Sequence, residues 1–404
     1  MFSFDVHIPT RMLFGADQAD KFSTHVASLG KRVFLVIGKS AAKSLGYLDV
    51  VQQQFEKVDL DVQVFQGIGP NPLSKTINEA AEQARQFDAD IVVALGGGSV
   101  MDASKCIAAL VKTGEKDIWP FALGQPEVGK LTGALPIAAI PTTAATASEV
   151  TPNAVVSNAD IKGKAPVTAK FLKPVVCWLN PEFSVNLHEK TTQDGASDIL
   201  SHVFENYLLG GNSSPLADRY SEGIIDTVMK TLPQLLRCPD HVSLRGDMLW
   251  ASCLALNGLQ QAGRKPSQFI LHAMEHALSG FYPELSHGRG LATLYPAYFR
   301  WLLENNIAQD RFNQLSNRIF NLDLADPAFT GLSFIEGFED WLKANDMYQS
   351  LSDLGITEQY FSEIAEYAIQ TYGKNGGQKT LGPLALKDII NIFLATEKQA
   401  QTKV

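Results

Sequence analysis

Between Val33 and Gly97 short apolar runs alternate with helix-like stretches: VFLVIG, SLGYLDVVQQQF, DVQVFQG, TINEAAEQARQF and DIVVALGG. The apolar runs are nearly continuous, the pattern of strands buried on both faces, and the helical stretches between them are long enough for parallel crossovers. The sequence therefore predicts β-α-β-α-β, a parallel sheet covered by helices on each side. Further strands are expected at LPIAAIP and at PVVCWLN, the second closed by Pro181. After about Glu182 the text changes to long amphipathic runs such as SEGIIDTVMKTLPQLLR, LWASCLALNGLQQ and LKDIINIFLATEKQ, which carry helical periodicity. At 404 residues the chain also exceeds the usual span of one core, roughly 250–300 residues. Two domains are expected, an α/β domain over 1–182 and an all-helical one over 183–404.

Composition narrows the function. A net charge of −9 argues against a phosphate backbone or an anionic membrane as the main partner, and favours small-molecule chemistry. The N-terminus MFSFDVHIPTRMLFG lacks the basic-then-apolar order of a signal peptide, and no run reaches membrane-spanning length. The four cysteines, Cys106, Cys177, Cys238 and Cys253, are widely spaced with no CxxC, so they are expected to be reduced. These features point to a cytoplasmic protein that binds neither nucleic acid nor membrane.

Within the helical half, Asp198 with His202 and His272 with His276 are each four residues apart, and His287 follows. Residues at i and i+4 share a helix face, so each pair can converge without backbone strain. A single pair also fits a solvated face or a core imidazole. Two pairs and a trailing histidine point to a metal site with five candidates; His7, His25, His188 and His241 stay unassigned.

In the α/β half, LGGGSVMDASK (residues 95–105) follows the strand DIVVA and opens a helix. Glycines permit φ > 0 and close backbone approach, and the helix N-terminus offers free N–H groups to a pyrophosphate. Ser99 can cap or donate. An ordinary strand-to-helix turn has the same residues, and neither GxGxxG nor GxxxxGK[ST] is present, so this reading stops at a phosphate-binding turn. PTTAATASEVTPN (residues 141–153) crowds hydroxyls after the strand LPIAAI, as a ribose or phosphate site or a polar capping loop would.

Taken together, GGGSVMDASK, PTTAATASEVT, DILSH, HAMEHALSG and HGRGLA, in that order, resemble the iron-containing, group III, alcohol dehydrogenase family, nearest its butanol-dehydrogenase and aldehyde-reductase branch. PTRMLFG resembles its opening strand. The resemblance implies a Rossmann-like domain for a nicotinamide dinucleotide, a helical domain for one divalent metal (the dehydroquinate-synthase-like fold), and a substrate reacting in the cleft between them. It implies Asp198, His202, His272 and His287 as metal ligands and His276 as a proton-relay residue beside the nicotinamide. Gly97, Gly98, Ser99 and Asp102 would contact the pyrophosphate and nicotinamide portion. Thr142, Thr143, Thr146 and Lys164 would line the rest of the groove, with Asn71 near the adenosine side.

The chain departs from the family pattern in three places. Ala145 and Ala147 stand where the family loop usually carries glycines, FYPELS holds one residue more than is common between His276 and His287, and TYGKNGGQKTLGP lacks an expected Asn-Pro-Arg string. One position bears on the cofactor. NAD-preferring relatives commonly end the first strand with an Asp that binds the ribose 2′-hydroxyl, whereas here Gly38 is followed by Lys39 and Ser40, which suit a 2′-phosphate. NADP(H) is expected to be preferred, with NAD(H) also accepted.

The implied chemistry is hydride transfer between nicotinamide and a primary alcohol or aldehyde, assisted by a Lewis-acidic metal. The family name favours Fe²⁺, and the ligand types also accept Zn²⁺. A homodimer is expected. The rival readings are a dehydroquinate-synthase-like lyase and a non-redox metal hydrolase.

Overall fold

The computed structural model describes residues 1–211, 213–323, 330–373 and 380–400; residues 374–379, inside the TYGKNGGQKTLGP stretch, lie outside the described residues. Its α/β portion runs β1 (Arg11–Phe14), α1 (Ala19–Leu29), β2 (Arg32–Gly38), α2 (Ala41–Ser44), α3 (Tyr47–Glu56), β3 (Asp61–Ile68), α4 (Ser74–Gln86), β4 (Ile91–Gly96), α5 (Gly98–Thr113), β5 (Ile137–Pro141), β6 (Asn153–Asn158), β7 (Gly163–Thr168) and β8 (Val176–Leu179). Six strands form one sheet in the order β1-β8-β5-β4-β2-β3, and every pairing in it is parallel. Each run anticipated as a strand is one. The expected single helix over SLGYLDVVQQQF is divided into α2 and α3 near Gly46.

The central strands β4, β5 and β8 are buried along their whole length, which is why their sequences do not alternate. Val33, Leu35, Ile37, Ile91, Val93, Leu95, Ala138 and Ile140 share one core with Phe22 and Val26 of α1 and with Val51 and Phe55 of α3. Side chains of this size contribute about 1.5–3 kcal/mol each when fully buried. The alternate strand residues, Phe34, Val36, Val92 and Ala94, are buried too, on the face that α4 and α5 cover. The antiparallel ribbon β6–β7 stands apart from the sheet and is tethered to the loop after β3 by Ser157 N–H donating to Pro72 O at 2.9 Å. Nothing in the sequence reading anticipated it.

From Glu189 onward the chain is mainly helical: α6 (Glu189–Leu209), α7 (Pro215–Arg237), α8 (Val242–Leu256), α9 (Ile270–Phe281), α10 (His287–Glu304), α11 (Gln309–Phe320), α12 (Leu332–Ala344), α13 (Phe361–Tyr372), the two-residue strands β9 (Thr380–Leu381) and β10 (Leu384–Ala385), α14 (Leu386–Ala395) and α15 (Glu397–Ala400). Helix α6 is buried at nearly every position from Thr192 to Leu208, as a helix surrounded by others must be. One anchor is Phe204, whose ring meets Tyr295, Phe299, Phe334 and Phe338 edge-on at 5.3–5.8 Å, the favoured aromatic geometry.

The chain divides into two compact units, Ile8–His188 with Cys238–Cys253, and Met1–His7 with Glu189–Arg237 and Leu254–Val404. The division falls after His188 rather than Glu182, and a stretch of the helical half, Cys238–Cys253, belongs with the sheet. The reason is packing. Trp250 sets its ring edge-on to Phe14 at 6.2 Å, Ser252 Oγ accepts from the Ala145 N–H at 3.1 Å, and the Cys253 thiol donates to Glu149 at 3.0 Å. No described helix is long and apolar enough to cross a membrane.

Candidate metal centre and dinucleotide site

Helix α6 presents Asp198 and His202 on one face, α9 presents His272 and His276, and His287 is the first residue of α10. Asp194, one turn before Asp198, fixes the start of α10 by accepting from Ser286 Oγ at 2.6 Å and from Arg289 Nε at 2.9 Å.

These elements bring three imidazole Nε2 atoms around Asp198 Oδ1: His202 at 3.4 Å, His272 at 3.7 Å and His287 at 3.5 Å. Four ligands at ordinary N and O bond lengths about a tetrahedral cation lie about 3.4 Å from one another. Asp198 Oδ1 is buried and has no hydrogen-bond partner, a costly state for a carboxylate oxygen unless a cation completes it. The residues present therefore fit a divalent metal.

The opposite ring nitrogens explain the orientation. His272 Nδ1 bonds Glu205, and His287 Nδ1 bonds Glu275. An ionised carboxylate only accepts, so each Nδ1 carries a proton, and in the neutral ring the Nε2 lone pair faces Asp198. Glu205 also accepts from the Leu271 N–H at 2.6 Å, which ties the start of α9 to α6. Ligand-type atoms of Asp198, His202 and His272 lie within 4.8 Å of one another, and so do those of Glu275, His276 and His287. We read the second group as orienting contacts, because its His287–Glu275 approach uses the nitrogen that is not directed at Asp198.

Burial and neighbouring carboxylates shift these groups in different directions. Burial pushes the His202 imidazole down to about 3, so it is neutral. Burial also lowers His272, but the Glu205 and Asp198 carboxylates outweigh it and the net shift is up to about 9. Burial raises Asp198, yet the surrounding imidazoles overcome it and hold the carboxyl well below its ordinary range. His276 Nδ1 bonds not a carboxylate but the Tyr372 hydroxyl, at 2.8 Å. A cavity of about 700 Å³ lies beside this centre, with Asp194, Ser286 and Arg289 on its wall; Asp198 and the four site histidines are not among its lining residues, so it does not locate the chemistry.

In the sheet unit, the loops holding Gly38–Ser40, Asn71, Gly97–Asp102 and Thr142–Thr146 leave the carboxyl ends of the neighbouring strands β2, β3, β4 and β5. The chain reverses direction across the sheet between β2 and β4, where open α/β sheets bind ligands. The glycine turn and the threonine loop, read separately in the sequence, meet here. A Cβ on Gly97 would lie 2.9 Å from Thr143 Oγ1, and one on Gly98 2.7 Å from Thr146 Oγ1. The expectation that these glycines serve φ > 0 is corrected: Gly97 has φ −78°, and the need is for room. Left-handed backbone in these loops falls instead on Asn71, at φ 50°, and Ala147, at φ 51°.

Asp102 is drawn inward. Its Oδ1 accepts from Ser148 Oγ at 2.6 Å and its Oδ2 from the Val155 N–H at 2.9 Å. Ser99 lies in the first turn of α5. Lys164 is buried on β7 opposite Ser157, so the ribbon carries it toward the Asn71–Pro72 loop. Lys39 and Ser40 are exposed, and the Lys39 chain lies over Gly69, its Cε 3.3 Å from where a Cβ would sit.

Sequence reasoning missed Glu205, Glu275, Tyr372 and Lys105. Glu205 is seven residues after Asp198, two turns along the same face, and Glu275 is three after His272; both spacings were available as signals. Lys105, three after Asp102, is fully buried, and its ammonium donates to Ser148 Oγ at 2.7 Å, Asn153 O at 2.7 Å and Thr151 O at 3.0 Å.

Comparison with known proteins places the whole chain. Residues 9–181 match the family "iron-containing alcohol dehydrogenase", and residues 192–396 match "Fe-containing alcohol dehydrogenase family, C-terminal". NADH-dependent butanol dehydrogenase A of Clostridium acetobutylicum is 31% identical over 394 residues, covering 97% of this chain and 99% of the relative. The NADPH-dependent aldehyde reductase YqhD of Escherichia coli is 30% identical over 322 residues, 80% of this chain and 81% of the relative. The crystal structure of NADH-dependent butanol dehydrogenase A from Thermotoga maritima superposes with a TM-score of 0.90 at 31% identity, covering 98% of this chain and 99% of that one. A parallel six-stranded α/β domain followed by a helical domain, with family models matching both, makes this chain an oxidoreductase that belongs to the iron-containing alcohol dehydrogenase family.

Proposed function

We propose that the protein interconverts a small primary alcohol and its aldehyde, using a nicotinamide dinucleotide and one divalent metal held by Asp198, His202, His272 and His287. The observation that carries this reading is the partnerless, buried Asp198 Oδ1 ringed by three Nε2 atoms at 3.4–3.7 Å. When bound, the metal supplies Lewis acidity toward the substrate oxygen and the dinucleotide supplies or accepts the hydride. The protein's part is to hold both and to manage a proton. Glu205 and Glu275 keep Nδ1 of His272 and His287 protonated, so that their lone pairs serve as ligands. His276, bonded at Nδ1 to a phenol, is the proton-relay residue for the alcohol oxygen. The family favours iron, and the donor set also suits zinc.

Gly97, Gly98 and Ser99 would cradle the pyrophosphate at the start of α5, where backbone N–H groups are free. Thr142, Thr143, Thr146, Asn71 and Lys164 would line the remaining groove. Asp102 would act from behind, since both its oxygens are spent on Ser148 and Val155. Lys39 and Ser40, exposed where a 2′-phosphate would arrive, support a preference for NADP(H); named relatives use one cofactor or the other.

The test is a metal-reconstituted enzyme with elemental analysis, assayed with butanal and a panel of aldehydes against NADPH and NADH. NADPH oxidation that depends on added metal is expected. Metal-independent turnover would overturn the ligand assignment, and a strong NADH preference would overturn the role given to Lys39.

A further inference from the structure

Three histidines of the helical unit have a partner on Nδ1, and the partners differ in kind. His272 and His287 face carboxylates, Glu205 and Glu275; His276 faces the Tyr372 hydroxyl at 2.8 Å. A carboxylate can only accept, so in the neutral imidazole it leaves Nε2 bare. A phenol is a good donor and a poor acceptor, because its oxygen lone pair is delocalised into the ring. Set against a neutral imidazole, its O–H donates to the Nδ1 lone pair, and the single ring proton then resides on Nε2. The same side-chain type is thus prepared in opposite tautomers within one cluster, whose ring centroids lie 5.1 Å (His276–His287) and 5.9 Å (His272–His276) apart.

Tyr372 is well placed to hold that arrangement. It is the last residue of α13, and its backbone carbonyl accepts from Gln268 Nε2 at 3.0 Å, two residues before α9 begins. The phenol is therefore anchored to the segment that leads into the helix carrying His276. His276 itself is buried on α9.

We infer that Tyr372 is a positioning residue that fixes His276 as the Nε2–H tautomer, so that its Nε2 carries a proton and not a lone pair for the metal. The inference rests on the proposed alcohol–aldehyde chemistry for its meaning, whereas the tautomer stands or falls by itself. In aldehyde reduction the Nε2 proton passes to the oxygen that gains the hydride's electron pair while the Tyr372 hydroxyl proton moves onto Nδ1, so the imidazole stays neutral, and solvent then returns a proton to the phenolate.

The experiment uses the zinc-loaded enzyme, whose closed-shell ion leaves nuclear spins undisturbed, labelled with ¹⁵N-histidine. Long-range ¹H–¹⁵N correlation spectra are compared for the native protein and Tyr372→Phe, with His276→Gln to assign the resonances, alongside kcat, KM and metal content. The expected result is an Nε2–H pattern for native His276 that is lost or mixed in Tyr372→Phe. We expect kcat for aldehyde reduction to fall about tenfold while metal content and the KM for the dinucleotide hold. A native Nδ1–H pattern, or a Tyr372→Phe spectrum and kcat identical to native, would overturn the assignment. Should no aldehyde or alcohol turn over at all, the proposed function fails, and the spectra still decide the role of Tyr372.

Discussion

Two buried clusters, one in each unit, are each built around an aspartate and differ in how its oxygens are met. In the sheet unit Asp102 has both oxygens satisfied, by Ser148 and by the Val155 N–H, and Lys105 stands by as countercharge with its own donors spent on Ser148, Thr151 and Asn153. In the helical unit Asp198 keeps an oxygen without a hydrogen-bond partner, faced by three nitrogens. Burial dominates the first, raising Asp102 and lowering Lys105 to about 8. In the second the imidazoles override burial. A polar cluster that closes on itself welds a helix to a loop; one whose ring nitrogens converge on a bare carboxylate oxygen has the geometry that a cation would complete.

The largest expected effect is on the open cluster. His202→Ala should remove stoichiometric metal and lower turnover by more than about 1000-fold, with the circular dichroism of the sheet unit unchanged; full metal and activity in that variant would dissolve the contrast. The closed cluster should instead fail structurally. Lys105→Met leaves Asp102 buried without its countercharge and should cost about 3–5 kcal/mol in urea unfolding, and a neutral result would show that the cluster is not closed. Removing an orienting carboxylate lies between these. Glu205→Gln should weaken metal affinity by about 10–100-fold in chelator competition, with the fold intact.

Acidity gives a further handle on the same contrast. His272 in the metal-free folded protein holds its proton until pH about 9, so a cation must displace it at neutral pH. Apparent metal affinity should therefore fall as pH falls, by about tenfold per pH unit for each proton released, and a flat profile between about pH 6 and 8 would remove His272 from the ligand set. The smallest effect concerns the loop that joins the closed cluster to the glycine turn. Ala147 sits at φ 51°, where a Cβ costs about 1–2 kcal/mol, offset in part by the greater freedom glycine has when unfolded. Ala147→Gly should raise stability by up to about 1 kcal/mol, and a loss would mean that the methyl packs better than the backbone is strained.

The sheet was legible because parallel strands buried on both faces leave uninterrupted apolar runs, as IVVALG and IAAIP do. The β6–β7 ribbon was not, since NAVVSN and GKAPVT are short and half polar and mimic loop sequence. At the candidate metal centre the i, i+4 pairs were visible because both members sit on one helix. Glu205 and Glu275 were visible in principle, but a glutamate on a helix is ordinarily a solvated residue, and only their burial distinguishes them. Tyr372 carried no such signal, because nothing local ties the end of α13 to His276, nearly a hundred positions earlier in the chain (|i−j| of 96).

By itself the sequence determined which residues share a helix face and which strands lie buried, because helical and extended periodicities are local properties of the backbone. It left open what each of those faces meets. The packing of α6, α9 and α10 decided that three Nε2 atoms converge on one carboxylate oxygen. The same packing decided which Nδ1 faces a carboxylate and which a phenol. Close approach of Thr143 and Thr146, not left-handed backbone, decided why Gly97 and Gly98 are glycines. Such outcomes depend on contacts between segments far apart in the chain, and no spacing rule reaches that far.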